Sequence, residues 1–393
     1  MDTVPLEVED PIAAATHAAP YPFYAHLVAE RPLAWDATHR LWVAASAEAV
    51  RAVLSHPACR VRPPSEPVPS PIATTAMGGL YARWLRMTEG AASREGKRAV
   101  ATALEALSPE AAGELGSRVC RALDSGTTLE PGAVTEFAFA VPLHVVGQLL
   151  GLPSAVLPSV ARATRRLAEG VSPLASPAER EAGARAAAEL VETLARSEGG
   201  LLMELLSGVA TQQRLEPEWV RANAIGLLFQ TCEATAGLIG NTLLALARAP
   251  DWLAKVREQP ELLPATVEEV IRFDPPVQNT RRFLAEDARV LETPMQAGQG
   301  ILVLLAAANR DPSIHTDPHR FDPKRPGQRS FTFGSGSHAC PGSRLAVTVA
   351  ARTVGHLLER GVEPGVLARS YAYRPSHNGR IPLFTAPSAG GSA

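Results

Sequence analysis

Hydrophobic positions along the chain recur mostly at three and four residues, the spacing of a helix face, and only briefly at two. From Ala91 to about Leu206 the text is dominated by Ala, Leu, Glu and Arg. Pro131, Pro142, Pro153, Pro158, Pro173 and Pro177 cut it into successive helices. Ser176 to Arg196, Ala-rich with interspersed Glu and Arg, reads as a surface helix. A longer helix opens at Leu215-Glu216-Pro217-Glu218, since Pro and acids suit a first turn, and runs to about Arg248 before Pro250. That is ~33 residues, or roughly 50 Å. Between Ala224 and Leu246 it is apolar nearly all round, the pattern of a helix buried in a core or crossing a membrane. Glu233 stands at its centre among Gln230, Thr231 and Thr235, and a carboxylate there is costly in lipid, so burial in a large helical core is expected. Pro264 to Phe273 reads as a short helix stopped by Pro275-Pro276, and Arg344 to Glu359 as a last amphipathic helix stopped by Gly361.

Strand text is sparse. Pro32 to Trp35 and Leu41 to Ala44 flank turn text and suggest a hairpin, after which Ser46 caps a helix. Further strands are expected at Val277, Arg289 to Leu291 and Ile301 to Leu304, and from Tyr371 to Pro387 around an Asn378-Gly379 turn. Residues 61–80, rich in Pro and Ser, read as a long loop, and 306–337 as irregular. With no repeat and no linker, the expectation is one domain over residues 1–393, mainly α with a small β portion.

Composition narrows the function. A length of 393 residues with 46% hydrophobic content allows a large core. A formal net charge of -2 offers no overall basic field for nucleic acid or an anionic membrane. Met1 to Tyr24 lacks the basic start and apolar run of a signal peptide, so a soluble, cytoplasmic protein is expected. The four cysteines, Cys59, Cys120, Cys232 and Cys340, form no C-x-x-C pair, which argues against a zinc site or a redox dithiol. Three are expected to be small buried hydrophobes.

Cys340 differs. Phe331 to Gly342 is a Gly-rich loop that ends in this cysteine immediately before a helix, where backbone N–H groups favour a thiolate. Phe333, Gly336, Cys340 and Gly342 satisfy F-x-x-G-x-x-x-C-x-G, and the segment closely resembles the haem-binding loop of the cytochrome P450 monooxygenases. The resemblance implies a P450 fold, with haem b between the long distal helix and the Cys-loop helix, and Cys340 as the proximal thiolate ligand of its iron. Gly334 and Gly342 would leave room for porphyrin, Phe333 would pack near the sulfur, and His338 stands where the family contacts a haem propionate.

Order and spacing agree with that likeness. Glu269 and Arg272, 71 residues before Cys340 and followed by Phe273-Asp274-Pro275-Pro276, resemble the family's structural E-x-x-R pair. The resemblance implies that Arg320 completes it and that Arg282 pairs with a propionate. The family often reads H-x-R-x-R where this chain has Ala92 and Arg94, so haem anchoring is expected from Arg94, Arg282 and His338. The distal helix departs most. Where the family commonly reads A-G-x-[ED]-T-T, this chain has Gln230 to Thr235, which keeps the acid as Glu233 but places Ala234 where an alcohol usually follows. Glu233, Thr231 and Thr235 are therefore the expected proton-handling residues.

The implied activity is insertion of one atom of O2 into a small-molecule specialised metabolite, as in antibiotic biosynthesis. Oxidative coupling or ring closure without oxygen insertion is the alternative that Ala234 suggests. Phe229, Gln230, Ala234, Val277, Asn279 and Phe384 are expected to line the substrate pocket. No flavin or iron–sulfur text accompanies the Cys loop, so electrons are expected from a separate ferredoxin and its reductase. A face carrying Arg94, Lys97, Arg98 and Arg344 would recruit them to a monomer.

Overall fold

Prolines and capping residues divide the helical text where the chain turns. The computed structural model describes residues 8–197, 199–327 and 329–386. The first seven residues of the N-terminal text and Pro387 of the last strand text lie outside them. After Gly90 the helices run Ala91–Ala106, Pro109–Leu123, Pro131–Leu149, Leu157–Val171, Pro177–Ala195 and Leu201–Gln213. Pro109, Pro131 and Pro177 occupy first helical positions, where a missing N–H costs nothing, whereas Pro142 falls inside a helix. The Ser108 and Ser176 side chains accept from the first turn, and Ser176 and Glu179 form a reciprocal capping box. The helix Pro177–Ala195 is less of a surface element than its charges suggest. It buries Ala186, Ala187, Leu190 and Leu194, and its Gly183 meets Gly170 so closely that a Cβ on either would stand 2.8 Å from the other's Cα.

The long helix Pro217–Arg248 has 32 residues and is the spine of the fold. It packs against Pro131–Leu149, Leu201–Gln213 and Ser343–Glu359, and its apolar girth joins one large core with Leu143, Val146 and Val349. Among the described residues one helix, Pro131–Leu149, is long and apolar enough to cross a membrane. It lies inside this same core, which accounts for its apolarity.

Strands β1 (Leu33–Asp36), β2 (Leu41–Ala44), β3 (Cys59–Arg60), β4 (Thr280–Leu284), β5 (Ala288–Val290), β6 (Thr293–Met295), β7 (Gly300–Val303), β8 (Tyr371–Tyr373) and β9 (Pro382–Phe384) form three small sheets. The largest has the order β1-β2-β7-β4-β3, with β2 and β7 parallel and the other pairs antiparallel. Ser46 caps the helix Ala47–Ser55 through an Ala49 N–H bond of 3.1 Å.

Some local expectations change. The loop over 61–80 ends in a helix, Ala76–Arg83, which Thr75 caps. Val277 makes an isolated bridge to Gly379 rather than a strand. The segment 306–337 begins inside a short helix, Leu305–Ala308. β8 and β9 pair across residues 374–381, not across a two-residue Asn378-Gly379 turn, because Ser376 Oγ gathers the Asn378 and Gly379 N–H groups at 3.3 and 2.9 Å into a wider loop.

Candidate haem and substrate cavity

The loop before Ser343–Glu359 is wound by its own backbone. Gly334 N–H donates to Phe331 O and Cys340 N–H to Phe333 O, both at 2.8 Å. Gly334 and Gly336 supply the positive φ, 69° and 63°, that this winding needs. A Cβ on Gly342 would stand 3.9 Å from the Cys340 sulfur. Cys340 is open to the cavity beneath the long helix, while Cys59, Cys120 and Cys232 are buried. Burial pushes the Cys340 thiol up, opposed by a Gly342 N–H bond and the Arg86 charge.

The loop is fixed to the core through Asn309. Its Oδ1 accepts from Phe331 N at 2.7 Å and its Nδ2 donates to Thr332 Oγ1 at 2.8 Å, while that hydroxyl donates to Ile271 O at 2.7 Å. Ile271 belongs to the helix Leu263–Phe273, which also carries Glu269 and Arg272, both 0% exposed. Arg272 grips Glu269 with two bonds of 2.6 and 2.8 Å and reaches the carbonyls of Pro318 at 2.8 Å, Arg320 at 3.1 Å and Asn309 at 3.3 Å. Arg320 thus takes part through its main chain, and its side chain faces outward. Asp317, at φ 48°, stands in the turn just before the Pro318 and Arg320 carbonyls. The third member of the cluster is instead Arg325, whose Nε lies 3.8 Å from Glu269 Oε1.

A cavity of about 660 Å³ lies between the Cys loop and the middle of the long helix. Cys340, Phe333, Gly334, Gly342, Arg282 and His338 line it. From the long helix, Phe229, Gln230, Thr231, Glu233, Ala234 and Thr235 line it too, as do Val277 and Asn279 before β4. Gln230 donates to Gly226 O at 2.9 Å and Asn279 to His377 O at 2.8 Å, so each is partly committed to the scaffold. Helix threonines often bond the carbonyl four residues back, as Thr242 does to Leu238 at 2.7 Å. Thr231 and Thr235 do not, and neither hydroxyl bonds a described protein group. Glu233 is paired with Arg374, from the loop after β8, and both side chains face the cavity.

Two expected lining residues lie elsewhere. Phe384 is 3% exposed in the core, its backbone N–H bonded to Thr135 Oγ1 at 2.9 Å and its ring 3.7 Å from where a Cβ on Gly240 of the long helix would stand. Arg94 is exposed and off the cavity wall, since the helix Ala91–Ala106 presents Lys97, Val100 and Leu104 there instead. Lys97, expected on a partner-docking face, lies 2.9 Å from His338 Nδ1. Arg86, in the segment just before that helix, is a further lining cation without any motif to announce it.

Arg86, Lys97 and Arg282 make the corner of the cavity around His338 strongly cationic. Burial, and then the charges of Lys97, Arg282 and Arg86, push the His338 imidazole down to about 3. Burial likewise brings Lys97 down to about 8, against the pull of Glu89, and Arg282 down to about 10. Such a corner is short of negative charge, and a flat dianion that places its acid groups there would relieve the strain. The sulfur open to the cavity, a glycine-walled loop and this corner together fit haem with its two propionates. Among the described residues no group of three His, Cys, Asp or Glu could chelate a bare metal ion.

Comparison with known proteins agrees. Residues 196–360 match the family model for Cytochrome P450. Over 240 residues the chain is 38% identical to Cytochrome P450 107B1 of Saccharopolyspora erythraea, covering 59% of this chain and 58% of that one. Over 187 residues it is 34% identical to the biotin biosynthesis cytochrome P450 of Bacillus subtilis, covering 48% and 47%. The chain thus spans less than two thirds of the curated relatives it matches. Similarity of fold extends further. The crystal structure of CalO2 is matched at TM-score 0.71 with 26% identity over 97% of this chain and 99% of that one. P450BioI, solved with an acyl carrier protein bearing hexadec-9Z-enoic acid, is matched at TM-score 0.79 with 24% identity over 93% and 98%.

Proposed function

Because the chain belongs to the cytochrome P450 family, whose members carry haem b on a cysteine thiolate, we propose that it is a bacterial haem-thiolate monooxygenase acting on a small-molecule specialised metabolite. The observation that carries the reading is that Cys340 and the Glu233–Thr235 segment line one and the same cavity. When bound, haem supplies the activation of O2 and the transfer of one oxygen atom to carbon.

The remaining roles belong to the chain. Cys340 holds the iron, and Arg86, Lys97, Arg282 and His338 receive the propionates. Phe333, Gly334 and Gly342 shape the wall beside the sulfur. Phe229, Gln230, Ala234, Val277 and Asn279 position the substrate and exclude water from it. Thr231 and Thr235, whose hydroxyls bond no described protein group, are available to hold ordered water, and Glu233 passes protons toward it. Arg94, Arg98 and Arg344 are exposed and suit docking of an acidic ferredoxin, supplied with electrons by its reductase, on a monomeric cytoplasmic enzyme. Glu269, Arg272 and Arg325 keep the Cys loop in register.

Coupling or ring closure without oxygen insertion is the second reading. It is favoured by Ala234, which faces the cavity where the family commonly has an alcohol, and by the commitment of Glu233 to Arg374. Two measurements address these readings. The reduced, CO-bound protein is expected to show the red-shifted Soret band of thiolate ligation, and its absence in folded, haem-loaded protein would overturn the assignment of Cys340. With 18O2, labelled product identifies monooxygenation, and unlabelled oxidised product identifies coupling.

A further inference from the structure

Cations outnumber acids on the cavity wall by more than haem accounts for. Arg62, Arg86, Lys97, Arg281, Arg282 and Arg374 line it, against Glu66 and Glu233. Among the described residues the surplus is four positive charges. Two propionates leave two of them uncompensated. The six are also divided in space, and Arg62 is spent on the carbonyls of Pro67 and Ala82, both at 3.4 Å. Arg86, Lys97 and Arg282 act together on His338, while Arg281 acts on His377 and Arg374 pairs with Glu233.

Arg374 is the cation best placed to meet a ligand. Its backbone is pinned by an N–H bond to Ile381 O at 2.9 Å, across the loop between β8 and β9. Its side chain is 20% exposed and that of Glu233 33%, both toward the cavity. Only Nη1 is bonded to a described group, and it reaches one oxygen of Glu233. A guanidinium presents a flat fork that suits two oxygens of one carboxylate, so this pairing leaves most of its donors open.

We infer, on the reading that substrate is oxidised in this cavity, that the substrate class is an organic carboxylate whose acid group docks on Arg374 in exchange for Glu233. Binding converts a one-point internal pair into a two-point pair with the ligand. It also releases Glu233 from its cation when substrate arrives, so the acid is free only in the occupied cavity. Gln230 and Asn279, partly tied to backbone carbonyls, are left to read neutral polar groups.

Isothermal calorimetry on the haem-loaded full chain tests this without turnover. The probes are n-alkanoates of eight to fourteen carbons, each paired with the alkan-1-ol of equal length. The wild type is expected to bind its best alkanoate about tenfold or more tighter than the matching alcohol. Arg374→Gln abolishes that preference and Arg374→Lys keeps most of it. Glu233→Gln, which removes the internal competitor, raises alkanoate affinity severalfold. Equal affinity for acid and alcohol, no alkanoate binding at all, a preference that survives Arg374→Gln, or weaker alkanoate binding in Glu233→Gln would each overturn the inference. A thiolate-type CO spectrum retained alongside any of these results would leave the monooxygenase reading standing.

Discussion

Removing Glu269 or Arg272 probes how the Cys loop is held. Both side chains are 0% exposed, so solvent cannot take over a lost partner. Glu269→Gln keeps the shape but leaves a guanidinium that cannot neutralise itself, with only carbonyls around it. Breaking a buried ion pair from one side costs about 3–5 kcal/mol. Arg272→Met removes the donors of three carbonyls as well. Arg325 lies 3.0 Å from Arg320 O and covers one of them, so Pro318 O and Asn309 O are left without the guanidinium. Each stranded carbonyl adds about 1–3 kcal/mol, so this variant is the more damaging. The double variant Glu269→Leu/Arg272→Met exchanges the pair for apolar contacts and costs less than the two single changes together. Urea unfolding of haem-loaded protein, followed by circular dichroism, measures the losses. Transfer of haem to excess apomyoglobin reads the coupling to the Cys loop, which the Ile271–Thr332–Asn309 bonds transmit as faster release. A Glu269→Gln cost below about 1 kcal/mol, or single costs that simply add, would refute the reasoning.

Four further outcomes follow from the geometry. Arg282→Ala is expected to release haem about thirtyfold faster, the equivalent of about 2 kcal/mol for a truncated charge contact, whereas Arg94→Ala leaves release unchanged. Haem transfer kinetics decide this, and equal effects would place Arg94 at a propionate after all. Glu233→Gln should slow turnover by about a hundredfold at unchanged haem content, the scale of a lost proton-transfer group, and unaltered turnover removes Glu233 from the proton path. Thr235→Val should leave unfolding stability within about 0.5 kcal/mol, because the hydroxyl bonds no described protein group, yet divert electrons from product to peroxide. In haem-free protein, iodoacetamide at pH 8 should label Cys340 first by mass spectrometry. Burial holds Cys59 and Cys120 up at about 11 and Cys232 higher still. Early labelling of Cys120 contradicts the cavity geometry.

Features written in contiguous text were legible from the sequence, and those made by distant segments were not. The spine was predictable because Pro217 and Pro250 bracket an unbroken apolar helix, and the Cys loop because its glycines and Cys340 stand at fixed spacing. Propensity could not say which face of Ala91–Ala106 looks inward. A resemblance centred on Arg94 therefore missed that Lys97 and the earlier Arg86 form the cationic corner. The same limit applied to Arg320, where the motif foresaw the position but not that its carbonyl, rather than its guanidinium, meets Arg272. Arg374 shows the limit most sharply. It lies 141 residues from Glu233, and nothing between them hints at the contact. The missing alcohol at Ala234 looked like a defect in proton delivery when the distal helix was read alone. Set against Arg374, the defect has a different meaning: the acid of this helix is held by a cation contributed by the last loop, and its availability depends on what else that cation can bind. What the sequence conceals therefore lies in the pairing of two residues, each of which is unremarkable within its own segment.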